Sequence, residues 1–140
     1  MKPNSSQVRS ALVSFAVIAI SLGSASVWAH HSATMFEPKK VLSFEGVVKQ
    51  FEWSNPHSWL QVVTVDGNGA QDEWSLEMGP LVGLSRAGWK PRMLRPGDKV
   101  KVSLHPLKNG SYGGRLISVT LSDGRVMNGQ GGAAAPPPTG

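Results

Sequence analysis

The stretch EWSLEMGPLVGLSRAGW, residues 73–89, changes its hydrophobic period halfway and thereby decides the fold. Its first six residues alternate between polar and apolar, which predicts a strand with apolar side chains facing inward and Glu73 and Glu77 facing outward. Pro80 then suits the first position of a helix, and Gly88 suits a left-handed helix end. The sequence therefore predicts a strand that is followed at once by a short helix.

Four further segments alternate in the manner of strands: residues 42–53, 58–65, 99–104 and 115–121. In the first of them the alternation shifts at Lys49-Gln50, which indicates a β-bulge. With the helix, the order becomes β-β-β-α-β-β. This is the order of a small five-stranded OB-like Greek-key barrel, mainly β, with one short helix between strands 3 and 4. A small open β-sandwich is the alternative, because it also contains short alternating strands.

The length of 140 residues accommodates one domain, and the ends differ from it in composition. A basic start, an apolar run and small residues up to Ala29 are typical of a signal peptide cut after that residue. The alternatives are a cut after Ala25 or an uncleaved membrane anchor, although the apolar run is short for a membrane span. The predicted organisation is a signal peptide (1–29), an N-terminal segment (30–40), the barrel (41–127) and a disordered Gly/Ala/Pro tail (128–140).

Composition excludes several classes of protein. The chain has no cysteine, which excludes disulfides, thiolate metal sites and a cysteine nucleophile. Its net charge is +5, and removal of the signal peptide takes away two positive charges and no acid. So mild a balance, in a protein predicted to be exported to the periplasm, argues against a nucleic-acid partner. Glu73 and Glu77 share a strand face, but such carboxylates are usually solvated, and no nucleophile constellation is present. No catalytic residue is therefore predicted.

Histidines are the candidate metal ligands. The predicted signal cleavage would leave His30 with a free α-amine, and this amine and its ring Nδ1 together chelate one metal ion. A third nitrogen from His57, which follows the rigid Pro56 in the first hairpin loop, would complete a set of three nitrogens that suits copper. His31 is an alternative ligand. The competing interpretation is a solvated N-terminal pair and a turn histidine that caps backbone groups, and His105 is expected to be a solvated strand-end residue.

A second candidate site combines aromatic and basic residues. Trp53 and Trp59 flank the first hairpin turn, where they predict a stacking surface for a sugar or another ring, with core packing as the alternative. Arg92 and Arg95 lie in a basic stretch that would attract an anionic polymer or a protein of the cell envelope, with a solvated loop as the alternative. The remaining tryptophans beyond the signal peptide are predicted to lie in the core: Trp74 and Trp89.

Several short motifs together resemble a family of small exported bacterial proteins that is catalogued as a domain of unknown function. The motifs are His30-His31-Ser32, Trp53-Ser54-Asn55-Pro56-His57, Trp74 with Glu77, Leu84-Ser85-Arg86-Ala87-Gly88-Trp89, Pro96-Gly97-Asp98 and Asp123-Gly124-Arg125. The resemblance covers His30 to Met127, and the chain departs from the family at Glu37, where members commonly have Asp. It implies export and a single β-rich domain, and it implies no activity.

Two functional hypotheses follow from the residues. The leading one is an exported periplasmic binding module that takes copper through His30 with His57 and His31. The alternative is a periplasmic interaction module for an anionic or sugar ligand of the envelope, which uses the tryptophans and the basic stretch. A binding protein is favoured over an enzyme under both hypotheses.

Overall fold

A computed structural model describes residues 34–132. The predicted signal peptide, His30 and His31, and residues 133–140 of the predicted tail lie outside the described residues. The elements in chain order are β1 (Leu42–Glu52), β2 (Trp59–Val65), β3 (Gln71–Glu77), α1 (Leu81–Arg86), β4 (Lys99–Pro106), β5 (Gly113–Thr120) and β6 (Val126–Asn128). Within 34–132, no helix has the length and hydropathy that a membrane crossing requires.

Five of the strands close into a barrel. β1 pairs with both β2 and β4, β2 pairs with β3, and β4 pairs with β5, all of them antiparallel. The barrel closes where β3 and β5 run parallel, with Ser75, Leu76 and Glu77 opposite Gly113, Gly114 and Arg115. β6 adds to the outer edge of β5. This topology, with α1 between the third and fourth strands, confirms the OB-like barrel, and the closure excludes an open sandwich.

β1 takes part in both sides of the barrel because it bends. Its first half pairs with β4 and its second half with β2. The register against β2 shifts between Val48 and Gln50, so that Lys49 is the extra residue of a β-bulge, as the shift in alternation predicts. The turn before β4 is fastened to this bend. The N–H of Val48 donates to the carbonyl of Asp98, and the N–H of Gly97 donates to the carbonyl of Val48, both at 2.8 Å.

The core fills the barrel and extends to α1. Its buried members are Val48, Leu60, Val62, Leu76, Met78, Leu84, Trp89, Leu94, Val100, Val102, Leu104, Leu116, Val119 and Met127. α1 contributes Leu84 to this core, and Gly88 ends the helical turn with a φ of +89°, in the left-handed region that the sequence predicts. The N–H of Trp89 then donates to the carbonyl of Leu84 at 3.0 Å, which is the hydrogen bond of a Schellman helix end. Trp89 is buried, as predicted.

Two side chains of β3 differ from the prediction. Trp74 packs against the core but stays half-exposed, because its ring lies between Phe44 and Tyr112, at centroid distances of 4.7 and 5.2 Å, and Tyr112 is itself exposed. A hydrogen bond with Asp72 raises the pKa of the Tyr112 hydroxyl. Glu77 lies on the outer face, as the alternation predicts, yet it is buried rather than solvated. The alternation identifies the face of a strand residue, but it carries no information about what covers that face.

The described beginning of the predicted tail, residues 128–132, is hydrogen-bonded to the barrel. Val126–Asn128 form β6, a strand that the sequence analysis does not predict. The N–H of Gly129 donates to the carbonyl of Ile117 at 2.8 Å, and its carbonyl accepts from the N–H of Gly79 at 2.9 Å. The expected boundary between barrel and tail therefore falls inside the last strand.

The close approach of β5 to β4 depends on two consecutive glycines, which lie where β5 also pairs with β3. A Cβ on Gly114 would lie 2.5 Å from the carbonyl oxygen of His105 and even closer to the side chain of Leu104. A Cβ on Gly113 would lie 2.8 Å from the Cδ1 of Leu107. Interiors packed to this density leave no room for an added methyl group. A side chain at Gly114 would therefore push β5 away from β4.

We predict that Gly114→Ala lowers the free energy of unfolding by roughly 1 to 3 kcal/mol, because the added methyl group meets backbone as well as side chain. Gly67→Ala is the matched control, since a Cβ on Gly67 meets no atom within 4 Å. The control should change stability by less than about 0.5 kcal/mol. Urea unfolding of both variants measures the difference, and equal stability of the two would contradict the close approach of β5 to β4.

Candidate functional site

The register of the strands brings polar and aromatic side chains together on the outer surface of the barrel. Residues directly opposite each other on paired strands share a face of the sheet. Trp59 on β2 therefore lies between Glu52 on β1 and Glu77 on β3. Beyond the seam, Arg115 on β5 follows Glu77, and His105 on β4 follows Arg115. These residues form an outer row that crosses five strands.

The loop between β1 and β2 places His57 beside Glu77, a member of this row. The hydroxyl of Ser54 donates to the carbonyl of His57 at 2.9 Å. Ser58 is fully buried, its N–H donates to the carbonyl of Gly79, and its carbonyl accepts from the N–H of Met78 at 2.9 Å. These backbone hydrogen bonds fasten the residue after His57 to the chain that leaves β3. The loop is thereby held against the end of β3.

The ring of His57 is oriented from one side. Its Nδ1 lies 3.1 Å from the carbonyl oxygen of Met78 and 3.3 Å from the Oε1 of Glu77. A carbonyl oxygen has no proton to give, so the contact with Met78 is a hydrogen bond only when Nδ1 carries the hydrogen. In the neutral ring, Nε2 then keeps its lone pair, and 39% of the side chain is exposed. Metal-bound histidines are commonly held in this way, with the second ring nitrogen on a carbonyl or carboxylate.

Glu77 is buried, and the end of the described chain is hydrogen-bonded to its backbone. The side-chain amide of Gln130 donates to the carbonyl of Glu77 at 3.1 Å and to the carbonyl of Leu116 at 2.9 Å. The Oε1 of Gln130 accepts from the Nε of Arg115 at 3.0 Å. Only 9% of the Glu77 side chain remains exposed. Since a buried carboxylate is costly without a donor, the Nδ1–H of His57 is a favourable neighbour for it.

The N-terminal segment enters the described region close to the outer row. Phe36 is buried and forms a β-bridge with Leu107, just beyond β4. The N–H of Glu37 donates to the carbonyl of Pro106 at 2.9 Å, and the N–H of Lys108 donates to the carbonyl of Met35 at 2.9 Å. Met35, Phe36 and Glu37 are therefore attached at the end of β4.

His57 is the one predicted metal ligand that the structure describes, because His30 and His31 lie outside residues 34–132. Within those residues, no three His, Asp or Glu side chains are grouped as metal ligands. His105, expected to be solvated, is half-buried in β4, and its Nδ1 lies 2.9 Å from the carbonyl of Lys40. The other two predicted ligands, His30 and His31, both lie outside the described residues.

The four residues predicted to bind a ring or an anion lie in different surroundings. Trp59 is half-exposed in the outer row, beside Glu77. Trp53 is half-buried, and its ring packs edge-on against Phe51 at 5.8 Å between centroids. Arg92 and Arg95 line a surface cleft with Phe51, and neither tryptophan is among the lining residues of that cleft. The structure therefore brings the two arginines together but does not join them to Trp59.

Sequence reasoning missed the contact between His57 and Glu77. The alternation of β3 predicts a solvated glutamate, and Gln130, which donates to the backbone carbonyl of Glu77, belongs to a segment of Gly, Ala and Pro that carries no periodic signal. The occurrence of Glu77 in the motif with Trp74 is the one sequence signal that could have pointed to it. The arrangement offers an oriented imidazole nitrogen that can bind a metal ion or accept a proton.

Comparison with known proteins gives a family and nothing closer. The model of a family of unknown function, DUF6152, matches residues 17–116. None of the curated proteins matches the chain, and none of the solved structures does. The match includes the loop of His57, the strand of Glu77 and α1, but it ends before Gln130.

We predict that neutral His57 carries its proton on Nδ1, because the carbonyl of Met78 can only accept. Long-range ¹H–¹⁵N NMR spectra of the imidazole rings distinguish the two tautomers. His105 is an internal reference, since its Nδ1 also faces a carbonyl oxygen. A His57 ring protonated on Nε2 would contradict the assignment, because Nε2 would then have no lone pair for a metal ion.

Proposed function

The chain belongs to DUF6152, a family of unknown function, and we propose that it is an exported periplasmic protein that binds copper and is not an enzyme. The observation that carries the proposal is the orientation of His57, whose Nδ1 faces a carbonyl and a carboxylate while 39% of the side chain stays exposed. An imidazole held in this way is prepared to give its lone pair to a metal ion without first losing a hydrogen bond to the protein.

Export supplies the other ligands in this proposal. Cleavage after Ala29 would create an α-amine on His30, and the amine and ring of one N-terminal histidine bind a metal as a chelate. With the Nε2 of His57, this makes three nitrogen ligands, a set that suits copper. His31 would supply a further imidazole from the same segment. Two of the three nitrogens belong to His30, and its α-amine exists only after cleavage. The proposed site therefore requires a processed N-terminus.

The attachment of the N-terminal segment supports this ligand set. Phe36 is fixed beside Leu107, at the end of β4. From there, two strand spacings of about 4.8 Å each, across β5, lead to Ser75, two residues before the end of β3. Five residues lie between His30 and Phe36, and the six steps of a fully extended chain span roughly 20 Å at ~3.3 Å per residue. The proposal requires this segment to extend far enough for His30 to meet His57.

Glu77 is the positioning residue of the proposed site. Its carboxylate lies 3.3 Å from the Nδ1 of His57. A carboxylate behind a metal-bound imidazole fixes the ring and makes the other nitrogen a stronger donor. Only 9% of the Glu77 side chain is exposed, and an electrostatic contact is stronger where water is excluded.

We predict that the processed protein binds one Cu(II) tightly and that His57→Ala weakens this binding by more than roughly 100-fold, since it removes a ligand and not only a supporting group. One additional Ala before His30 should weaken binding similarly, because it moves the α-amine away from the chelating ring. Copper titration, with the mass of each sample checked, measures these affinities. His105→Ala is the matched control, and it should bind copper as the unchanged protein does.

Two results would contradict the copper proposal. One is equal copper affinity in the unchanged protein, His57→Ala and the Ala-extended form. The other is a mature protein whose first residue is not His30. Either result would favour the alternative function, in which the protein holds an anionic or sugar ligand of the envelope through other residues.

We predict that Glu77→Gln lowers the copper affinity by roughly 10- to 100-fold while leaving one-to-one binding intact, because the ring loses its carboxylate but keeps Nε2. The variant has nearly the same shape, so circular dichroism should show an unchanged fold. Exposed Glu73→Gln on the same strand is the control and should leave the affinity unchanged. An affinity of Glu77→Gln equal to that of the control would assign Glu77 a purely structural role.

A further inference from the structure

A cleft lies beside the bend of β1, apart from His57. It has a volume of about 400 Å³, and its lining residues are Gln50, Phe51, Arg92, Leu94, Arg95 and Pro96. This volume is within the range of small-molecule sites. Most of the lining is apolar, and the polar groups are one amide and two guanidinium groups. The cleft has the mixed character of a site for a small organic molecule.

The two arginines of the cleft have no internal counter-charge. Within residues 34–132, neither side chain makes an ion pair or a hydrogen bond. Asp98, the nearest acid along the chain, accepts instead from the backbone N–H of Arg95 at 2.8 Å. By contrast, Arg125 pairs with Asp123, also at 2.8 Å. Arg92 and Arg95 therefore keep all their donors for a ligand.

The backbone at Arg92 is strained. Among the described residues other than glycine, Arg92 alone has a positive φ, at +62°. A side chain in this left-handed region costs free energy, and glycine or asparagine would occupy it more readily. Strain of this kind persists where the surrounding structure enforces it, and it concentrates at ligand sites. An arginine at this position is explained if its guanidinium group binds a ligand in the cleft.

The apolar side of the cleft is rigid. Phe51 is half-buried, and its ring contacts Trp53 and Trp89 at centroid distances of 5.8 and 5.6 Å. Trp89 belongs to the buried core, so the ring of Phe51 is held from behind. A flat apolar group that enters the cleft would pack on a surface that is already formed, which reduces the entropy cost of binding.

We propose that this cleft binds a small organic anion, with its charged group on the guanidinium groups of Arg92 and Arg95 and its flat apolar body on Phe51. Guanidinium groups pair with carboxylate and phosphate oxygens through parallel hydrogen bonds, so the anionic group is a carboxylate or a phosphate ester. The site is independent of His57 and does not rest on the copper proposal.

The test uses 2-naphthoate as the probe and the full mature protein, with tryptophan fluorescence and protein NMR as readouts, because Trp53 and Trp89 both contact Phe51. Binding should saturate, and the double variant R92E/R95E should weaken it at least tenfold. K101E/K108E is the matched control, since it makes the same change of net charge at exposed positions outside the cleft. It should retain binding, and so should His57→Ala.

Two comparison ligands examine the two halves of the proposal. 2-Naphthylmethanol has the same ring without charge, and inorganic phosphate has charge without the ring. Both should bind at least tenfold more weakly than 2-naphthoate. Equal binding of the uncharged ring, or equal loss of binding in K101E/K108E, would overturn the role of the two arginines. Equal binding of phosphate would overturn the role of Phe51.

Arg92→Asn separates a binding role from a structural one. Asparagine tolerates the left-handed backbone, so the variant should melt higher, by roughly 3 °C, because the strain is relieved. It should also bind 2-naphthoate at least fivefold more weakly. A variant that binds equally well would overturn the proposal, because the strained arginine would then serve no ligand. This variant retains the fold even if R92E/R95E does not.

Discussion

The position of β5 between β3 and β4 is the constraint on which the rest of the molecule depends. Its parallel pairing with β3 closes the barrel around the core, and Gly113 and Gly114 let it approach β4 closely at the same point. The pairing with β3 also sets Glu77 beside Arg115 on the outer surface. Gln130 can bridge the two only because they are neighbours. Closure of the barrel and the meeting of Glu77, Arg115 and Gln130 are therefore consequences of the place of one strand.

The features that the sequence predicts are those that depend on near neighbours. The bulge at Lys49, the turn before β4 and the left-handed end at Gly88 each follow from a few adjacent residues, and all are observed. The order of strands and helix was then sufficient to predict the barrel, because few topologies accept that order. β6 was not predicted, since three residues in a sequence rich in glycine carry no periodic signal. Its stabilising contacts are distant in sequence: pairing with β5, burial of Met127 in the core and the hydrogen bond from the Nε1–H of Trp89 to the carbonyl of Asn128.

The candidate site was predictable in part, for a related reason. Residue type and position in a loop were sufficient to select His57, and the shared basic stretch was sufficient to select Arg92 and Arg95. Glu77 is buried although its strand pattern predicts a solvated side chain, and its hydrogen-bonded neighbour Gln130 is distant in sequence, so no local pattern could reveal the arrangement. Trp59 begins β2, whereas Arg92 and Arg95 lie between α1 and β4, and the fold places them in different surroundings. Local patterns identify candidate groups, and the topology decides which of them meet.

The bridge that Gln130 makes between β3 and β5 has a consequence for the order of assembly. A ribosome makes the chain from its N-terminus, so β1, β2 and β3 emerge long before Gln130. Until that residue arrives, the carbonyls of Glu77 and Leu116 lack the amide that donates to both. The histidine loop can form early, but this bridge beside it is completed by almost the last part of the described chain. A chain truncated before residue 130 would therefore carry His57 and Glu77 without the amide that joins the two strands next to them.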